Sequence, residues 1–464
     1  MFAIVFSVIL VIASIIFIKK KSFISLFFSL ILFLPEYYGF SISASFPVIS
    51  ATRILFLIFY LYILFMYRSD LINSLKTLKP SLPIVFFAVY FVLRIATNLY
   101  YVTIYSQAKK TIISIFAEEL LLLLTPFSIK LSKEKIVSLI NAIVYGSCVM
   151  FVLGIFESLS FIRLSDYLYT VDRFMLNEHY IRLGLLRSTV TMGLPGFFGN
   201  LCVLTAPAIM FMYHHTLRKR YLFICALSVL ACIHSGTRSA LFFLIAVYCA
   251  GFILVFKDLE KRKLFLKNAC IITFSLLVFM VIASFSSKYL KYYYVTSGKA
   301  MLNSVGFDFD LDEGAPKGVK GFGHNPDGNM SRLDQFSGIL YVAKESPVFG
   351  LGSGAQTRRQ AIFFTRGKWG AYSSYDVGYV QVAMDEGILG SLGYISLFVA
   401  LFLLLFPKDK SRRNCFLSLT VFAYLICMFG TANMQYFLWT IIFIIVLYYK
   451  STKVNQSDSE FKTA

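Results

Sequence analysis

The 464-residue chain is 58% hydrophobic and 15% charged, with a mean hydropathy of +0.73 and a formal net charge of +20. A soluble domain cannot cover so much apolar surface, and lysines and arginines that flank apolar runs are topology signals, so nucleic-acid binding is not expected. Cys148, Cys202, Cys225, Cys232, Cys249, Cys270, Cys415 and Cys427 lie within or at the edges of apolar runs, no CxxC or HExxH spacing occurs, and the five histidines are scattered. No disulfide framework, metal site or cofactor is therefore expected.

The N-terminal stretch "MFAIVFSVILVIASIIFIKKK" is apolar first and basic last, the reverse of a cleaved signal peptide, and reads as a first membrane span. About thirteen candidate spans follow from the hydropathy, at roughly 2–18, 22–38, 53–67, 83–101, 111–129, 136–157, 193–213, 221–235, 238–256, 268–286, 384–406, 414–432 and 436–449. With no water in the bilayer to satisfy the backbone, each is most simply a helix. The expected fold is all-α: a polytopic transmembrane bundle of about 12–14 spans forming one membrane domain over residues 1–464. The basic loops at 19–21, 68–79, 130–135, 218–220, 257–267 and 408–413, and the tail from Lys450, fall on one side, which the positive-inside rule makes the cytoplasm; Lys109 and Lys110 are the main discordant pair. The N-terminus is then outside and the C-terminus inside. Two long hydrophilic loops, 158–192 and 287–383, lie outside.

In the second loop, "EGAPKGVKGFGHNPDGN" reads as a mobile connector. The stretch "SRLDQFSGILYVAKES" carries Leu333, Phe336, Leu340 and Ala343 at helical spacing, a capping-box pattern at Ser331 and Asp334, and a stop at Pro347. "SPVFGLGSGAQTRRQ" then places Gly350, Gly352 and Gly354 within five residues. No GKS or GKT follows, and there is no ATP outside the membrane. The stretch is either a tight turn or an anion nest of backbone N–H groups, for which Gly350, Gly352 and the nearby Arg359 are the candidates.

Arginine matches phosphate bidentately and stays charged. Arg163, Arg173, Arg182 and Arg187 crowd the first outer loop, Arg332, Arg358, Arg359 and Arg366 the second, and Arg238 sits at the outer end of a span. Arg187, Arg332 and Arg238 abut a span or a helix start and are the main candidates for anion chemistry. Among outer acids and histidines, Glu178, His179, Asp376 and His324 are the general-base candidates, with Asp376 favoured because it directly precedes a span. Tyr372, Tyr375 and Tyr379 around it are interfacial anchors or a sugar platform. Inside the spans, Arg94 and the Glu118–Glu119 pair lie at similar depths, ~12 Å from the outer ends at 1.5 Å per residue. An ion pair of Arg94 with Glu118 or Glu119 is expected there, as a structural clamp in preference to a reactive site.

"NMSRLDQFSGILYVAKESPVFGLGSGAQ", followed by "YDVGYVQVAMDEGILGSLGYISLF", resembles the end of the large periplasmic loop of the O-antigen ligase and O-antigen polymerase (Wzy) superfamily. An arginine-led helix runs there into an E-x-P-x-x-G-x-G turn and then a span with an E-x-G-x-x-G pattern; the matching positions are Arg332, Glu345 to Gly352, and Glu386-Gly387 to Gly390. "IHSGTRSALFFLIAVY" resembles the Ser/Thr-Arg span start and places Arg238, and "RLGLLRSTVTMGLPGFFGN" places Arg187. Ligases of this superfamily carry His-Asn where this chain reads Asp376-Val377, so the resemblance favours a polymerase. Arg173, separated from Gly184 by ten intervening residues, resembles the arginine–glycine spacing of Wzy outer loops and joins Arg182 as a substrate-binding candidate.

The resemblance implies a multi-pass protein of the bacterial inner membrane with its loops in the periplasm. It would join undecaprenyl-pyrophosphate-linked oligosaccharide repeat units by metal-independent glycosyl transfer, among membrane lipids and with a chain-length regulator of the Wzz type as partner. Arg332, Arg187 and Arg238 would stabilise the pyrophosphate, and Asp376 would take the proton. An O-antigen ligase acting on lipid A–core is the enzymatic alternative. A lipid-linked oligosaccharide flippase is the alternative from another class, but it should have short loops and charges lining a central cavity.

Overall fold

The computed structural model describes residues 2–34, 38–40, 48–77, 81–120, 122, 125–126, 129, 131–170, 181–319, 332–365, 367–405, 415–431, 438, 440, 444–446 and 448. In chain order the helices are α1 (Phe2–Lys19), α2 (Phe23–Ile31), α3 (Ala51–Met66), α4 (Arg68–Thr77), α5 (Leu82–Tyr100), α6 (Ser106–Ser114), α7 (Lys133–Ser160), α8 (Pro195–Thr216), α9 (Arg220–His234), α10 (Arg238–Val255), α11 (Leu259–Ser286), α12 (Lys288–Asn303), α13 (Ser337–Glu345), α14 (Gly378–Leu405) and α15 (Cys415–Cys427). Among the described residues the strands form three two-stranded antiparallel pairs, β1 (Gly39–Phe40) with β2 (Ile49–Ser50), β3 (Ile181–Arg182) with β4 (Leu185–Leu186), and β5 (Ala361–Thr365) with β6 (Lys368–Tyr372).

The chain is thus an all-α polytopic bundle. Among the described residues, α5, α7, α8, α10, α11 and α14 are long and apolar enough to cross a membrane, and shorter apolar helices occur at Ile4–Lys19, Ala51–Met66, Arg220–His234 and Phe416–Cys427. Helix starts follow the local chemistry. Ser50 accepts from the Arg53 amide, Asp258 from that of Lys261 and Ser287 from that of Tyr289, while proline opens α5 and α8. Several expected boundaries shift. Among the described residues of the span expected at 22–38 the helix is the nine-residue α2, α11 starts nine residues before 268, and α14 starts at Gly378 instead of 384. The last expected span lies largely outside the described residues.

Contacts divide the chain into two compact units. The first comprises Met1–Phe6, Phe33–Tyr38 and Asn141–Asn329. Its centre is α8, which is buried along nearly its whole length, and α9 and α10 pack on it. By contrast the apolar stretch of α11 is unburied along its length. The β3–β4 hairpin, turning through Leu183 and Gly184 with φ of 53° and 81°, packs Leu183 and Leu185 on Tyr292 and Tyr293 of α12.

The second unit comprises Ser7–Leu32, Gly39–Ile140 and Met330–Ala464. Here α5 runs along α14, and α13 and the β5–β6 hairpin pack on the start of α14 around Val342, Phe363, Tyr375, Val377, Val380 and Met384. The face of α13 differs from the expected one. Leu333 and Leu340 are 78% and 65% exposed, while Gln335, Gly338 and Val342 turn inward. Helix α13 ends at Glu345, just ahead of Pro347, as the proline demands.

Candidate functional site

In the first unit, three of the expected arginines gather around one turn. Ser235, Gly236 and Thr237 join α9 to α10, and Arg238 opens α10 with an exposed side chain. Arg182 donates from Nη1 to the Gly236 carbonyl at 2.7 Å. Arg187 donates from Nε to the Ser235 carbonyl and from Nη2 to Thr237 Oγ1, both at 3.1 Å. Burial, and then repulsion from Arg238, hold the Arg182 guanidinium below its usual range, so the cluster is a concentration of positive charge. A cavity of about 30 Å³ opens among Arg182, Thr237, Arg238, Tyr293 and Ser297. That is room for about one water-sized group, so a larger anion would rest on its mouth.

The backbone that carries Arg187 is held from beneath. The Ser188 amide donates to the His234 carbonyl at 3.1 Å, and its hydroxyl donates to the Gly154 carbonyl at 2.6 Å. Glu157, near the end of α7, accepts from the Thr189 amide and hydroxyl and from the Val190 amide at 2.7 to 3.2 Å, and pairs with Arg163 at 3.1 Å. His234 is fully buried between the Ser158 hydroxyl at 2.9 Å and the Tyr294 hydroxyl at 3.0 Å, with its ring stacked on Tyr293. These contacts make it a brace for the α9–α10 turn.

In the second unit, the glycine stretch folds against a break in α14. At Gly387 (φ 63°, ψ −154°) that helix loses its regular hydrogen bonds. The loop replaces them on both sides. The Leu351 and Gly352 amides donate to the Met384 and Asp385 carbonyls at 2.7 and 3.0 Å, and the Ile388 and Leu389 amides donate to the Pro347 and Val348 carbonyls at 2.9 and 3.2 Å. The turn is therefore the cap of a discontinuous membrane helix, whose freed groups would otherwise have no partner in lipid.

This geometry corrects the anion-nest reading of Gly350 and Gly352. Their amides are engaged by the carbonyls of Ser346 and Asp385. Further along, the Gly354 and Ala355 amides donate to the Asp385 carboxylate at 3.4 and 3.3 Å, so an internal acid already fills the concavity. Asp385 also accepts from the Tyr375 hydroxyl at 3.1 Å, and burial, reinforced by that carboxylate, raises the Tyr375 phenol well above its usual range. Arg358 is a staple of the same loop. It donates to the Leu351, Gly352 and Ser353 carbonyls at 2.7 to 3.0 Å and lies 3.7 Å over the Tyr105 ring.

Beside the break, the side chain of Arg94 is only 2% exposed and meets two carboxylates, Glu119 at 2.6 Å and Glu386 at 3.1 Å. Tyr90 and Tyr394 flank its guanidinium, each with the ring centre 5.4 Å away. Glu118 instead pairs with Arg53 at 2.5 Å. Both glutamates are buried although adjacent in sequence, on a π-helical turn, Ile115–Leu120, that breaks the ordinary helical spacing.

The remaining expected residues fall as follows. Arg332 begins the described part of its segment and is partly buried; Asp376 is exposed, with its amide donating to Gln335 Oε1 at 3.0 Å. Tyr379 is half-buried and donates its hydroxyl to the Leu425 carbonyl at 2.7 Å, so only its ring is offered as a platform. Arg359 is exposed and held at φ 57°. Arg173, Glu178, His179, His324, Ser331 and Arg366 lie outside the described residues. Sequence reasoning missed Glu157, Asp385, Arg53 and the Arg94–Glu386 pair. Charge within an apolar run was an available signal for the acids, while the partners are set by packing between distant segments.

Two findings bear on family. No curated protein matches the chain. Residues 223–395 match the family model described as O-antigen ligase, a stretch that includes Arg238, Arg332, the glycine turn, Asp376 and the α14 break but not Arg187. The match spans less than half of the chain and shows that this region, from α9 to α14, is similar to the O-antigen ligase family.

Proposed function

We propose that the protein is a surface-polysaccharide polymerase that joins undecaprenyl-pyrophosphate-linked repeat units on the outer face of the bacterial inner membrane. The observation that carries this reading is the convergence of Arg182, Arg187 and Arg238 on the Ser235–Thr237 turn. In glycosyl transfer with a pyrophosphate leaving group, negative charge builds on that group, and fixed guanidinium donors lower the barrier without reorganising. Arg238, exposed at the start of α10, meets the anion; Arg187 and Arg182 hold the turn and add to the field. Within the second unit, Arg332 and the exposed Asp376 have the chemistry of a phosphate ligand and of a base toward a sugar hydroxyl, an assignment that rests on the sequence resemblance alone. Gly350 and Gly352 have no part in binding, because their amides are already engaged.

Asp376-Val377, standing where the superfamily's ligases carry His-Asn, supports polymerase over ligase. The description of the matching family favours a second reading, an O-antigen ligase that moves finished chains to lipid A–core. The glycan profile of a deletion strain separates them. Single repeat units left on the core support the polymerase, and loss of all attached chains supports the ligase or a flippase. A purified assay with a labelled lipid-linked repeat unit then separates an enzyme from a flippase.

A further inference from the structure

The first unit contains a second feature that the proposed chemistry does not use. A cavity of about 710 Å³ lies among α8, α9, α10 and α11, walled by apolar side chains such as Ile209, Val229, Ile245, Ala269 and Leu276. That volume is typical of a site for a small organic ligand. One wall is α11, whose apolar stretch is unburied, so the cavity borders the lipid-facing helix.

Charge marks one end of this cavity. Its lining reaches Tyr213 and His214 at the end of α8, Tyr221 at the start of α9, and Phe265 and Asn268 early in α11. At those same helix ends stand the exposed Arg218, Lys219, Lys257, Lys261, Lys263 and Lys267. The acids there are Asp258, 2.7 Å from Lys261, and Glu260, 4.0 Å from Lys263, both solvent-facing pairs that leave a large excess of positive charge. Inside the rim, Asn268 donates to the Tyr213 hydroxyl at 2.8 Å, a polar step between the basic end and the apolar walls. The sequence from cation to amide and phenol to hydrocarbon matches a phosphate, a glycerol ester and an acyl chain in turn.

We propose that this cavity binds an anionic phospholipid, with one acyl chain among α8–α11 and its phosphate on the basic rim. Basic pockets between membrane helices on the positive side are suited to such headgroups. The site is separate from the arginine cluster: Ile253 at the cavity lies fifteen residues along α10 from Arg238, ~22 Å at 1.5 Å per residue. A lipid seated here would therefore stabilise the first unit without competing for the proposed pyrophosphate site.

The test is native mass spectrometry and thermal melting of the delipidated, detergent-solubilised full chain, titrated with phosphatidylglycerol, phosphatidylcholine or polyprenyl phosphate. The expected result is at least five-fold tighter retention of phosphatidylglycerol than of phosphatidylcholine, with a rise in melting temperature. A cavity-filling variant, Ala269→Phe with Thr273→Phe, should lose that retention several-fold. A rim variant, Lys219→Ala with Lys261→Ala, should lose the preference for the anionic lipid while still taking up lipid. Equal retention of the two phospholipids, preference for polyprenyl phosphate, or a folded filled variant that keeps phosphatidylglycerol would each overturn the proposal. If the filled variant does not fold, the rim variant, whose changes are all on exposed side chains, decides.

Discussion

Gly350 and Gly387 stand backbone to backbone: a side chain on Gly350 would come within 2.5 Å of the Gly387 amide nitrogen, and one on Gly387 would collide with that of Gly350. Both residues have positive φ, 70° and 63°. The glycine turn and the E-x-G-x-x-G span, separate motifs in the sequence, are thus the two halves of one joint. The turn stops the broken helix from leaving bare amides and carbonyls, and the break puts Glu386 within reach of Arg94.

Substituting either glycine should open that joint. For Gly387→Ala or Gly350→Ala, the left-handed backbone costs about 1–2 kcal/mol and the steric overlap about 1–3 kcal/mol more. Thermal melting in detergent should show a lower transition for each, and the double variant should be less than additive because one contact is lost in both. Wild-type melting of Gly387→Ala would refute the joint.

Arg94 serves two buried carboxylates. Arg94→Met leaves Glu119 and Glu386 without a cation, which for a broken buried pair costs about 3–5 kcal/mol. Low folded yield and a depressed melting transition are expected. Adding Glu119→Gln and Glu386→Gln should recover most of the stability, since no uncompensated charge remains. If Arg94→Met folds as well as wild type, the network is not a clamp.

Arg238 and Arg187 should separate by readout. Arg238→Ala removes an exposed side chain, and turnover of a lipid-linked repeat unit should fall about 10²–10³-fold, the usual loss of one transition-state donor, with a smaller effect on melting than Arg187→Ala has. Arg187→Ala also breaks the bonds to Ser235 and Thr237, so it should lower both turnover and melting temperature. Normal long-chain polysaccharide with Arg238→Ala would remove Arg238 from the chemistry.

Glu157 acts through the chain that bears Arg187. In Glu157→Gln the amide retains one acceptor oxygen for the three donors at Thr189 and Val190, and an unsatisfied buried group costs about 1–3 kcal/mol. Lower stability and a several-fold loss of turnover are expected together, with a smaller effect than that of Arg187→Ala.

Activity of the purified protein should withstand EDTA, because guanidinium groups supply the charge stabilisation in the proposed chemistry. Loss on chelation with recovery on adding back a divalent cation would contradict that scheme.

Much of the fold was legible in the chain. Apolar runs long enough to span a bilayer must become helices because lipid offers the backbone no partners, and Pro347 had to end α13. The β5–β6 hairpin carried a signal that was available, two aromatic-rich runs separated by Arg366-Gly367, but was submerged in a long polar loop. The inward face of α13 was not legible. Its apolar residues split between core and exposed surface, and hydropathy alone does not distinguish the two environments.

The sequence by itself determined the helical membrane architecture and the crowding of arginine in the hydrophilic loops, and it left the glycine stretch open between a turn and an anion nest. Only the tertiary structure decided what those residues do. It joined Arg182 and Arg187 to the turn before Arg238, gave Glu119 and Glu386 to Arg94 but Glu118 to Arg53, and filled the glycine concavity with Asp385. The physical reason is that composition and periodicity are local, whereas a buried charge or a freed amide takes whichever partner the packing of remote segments brings within about 3 Å.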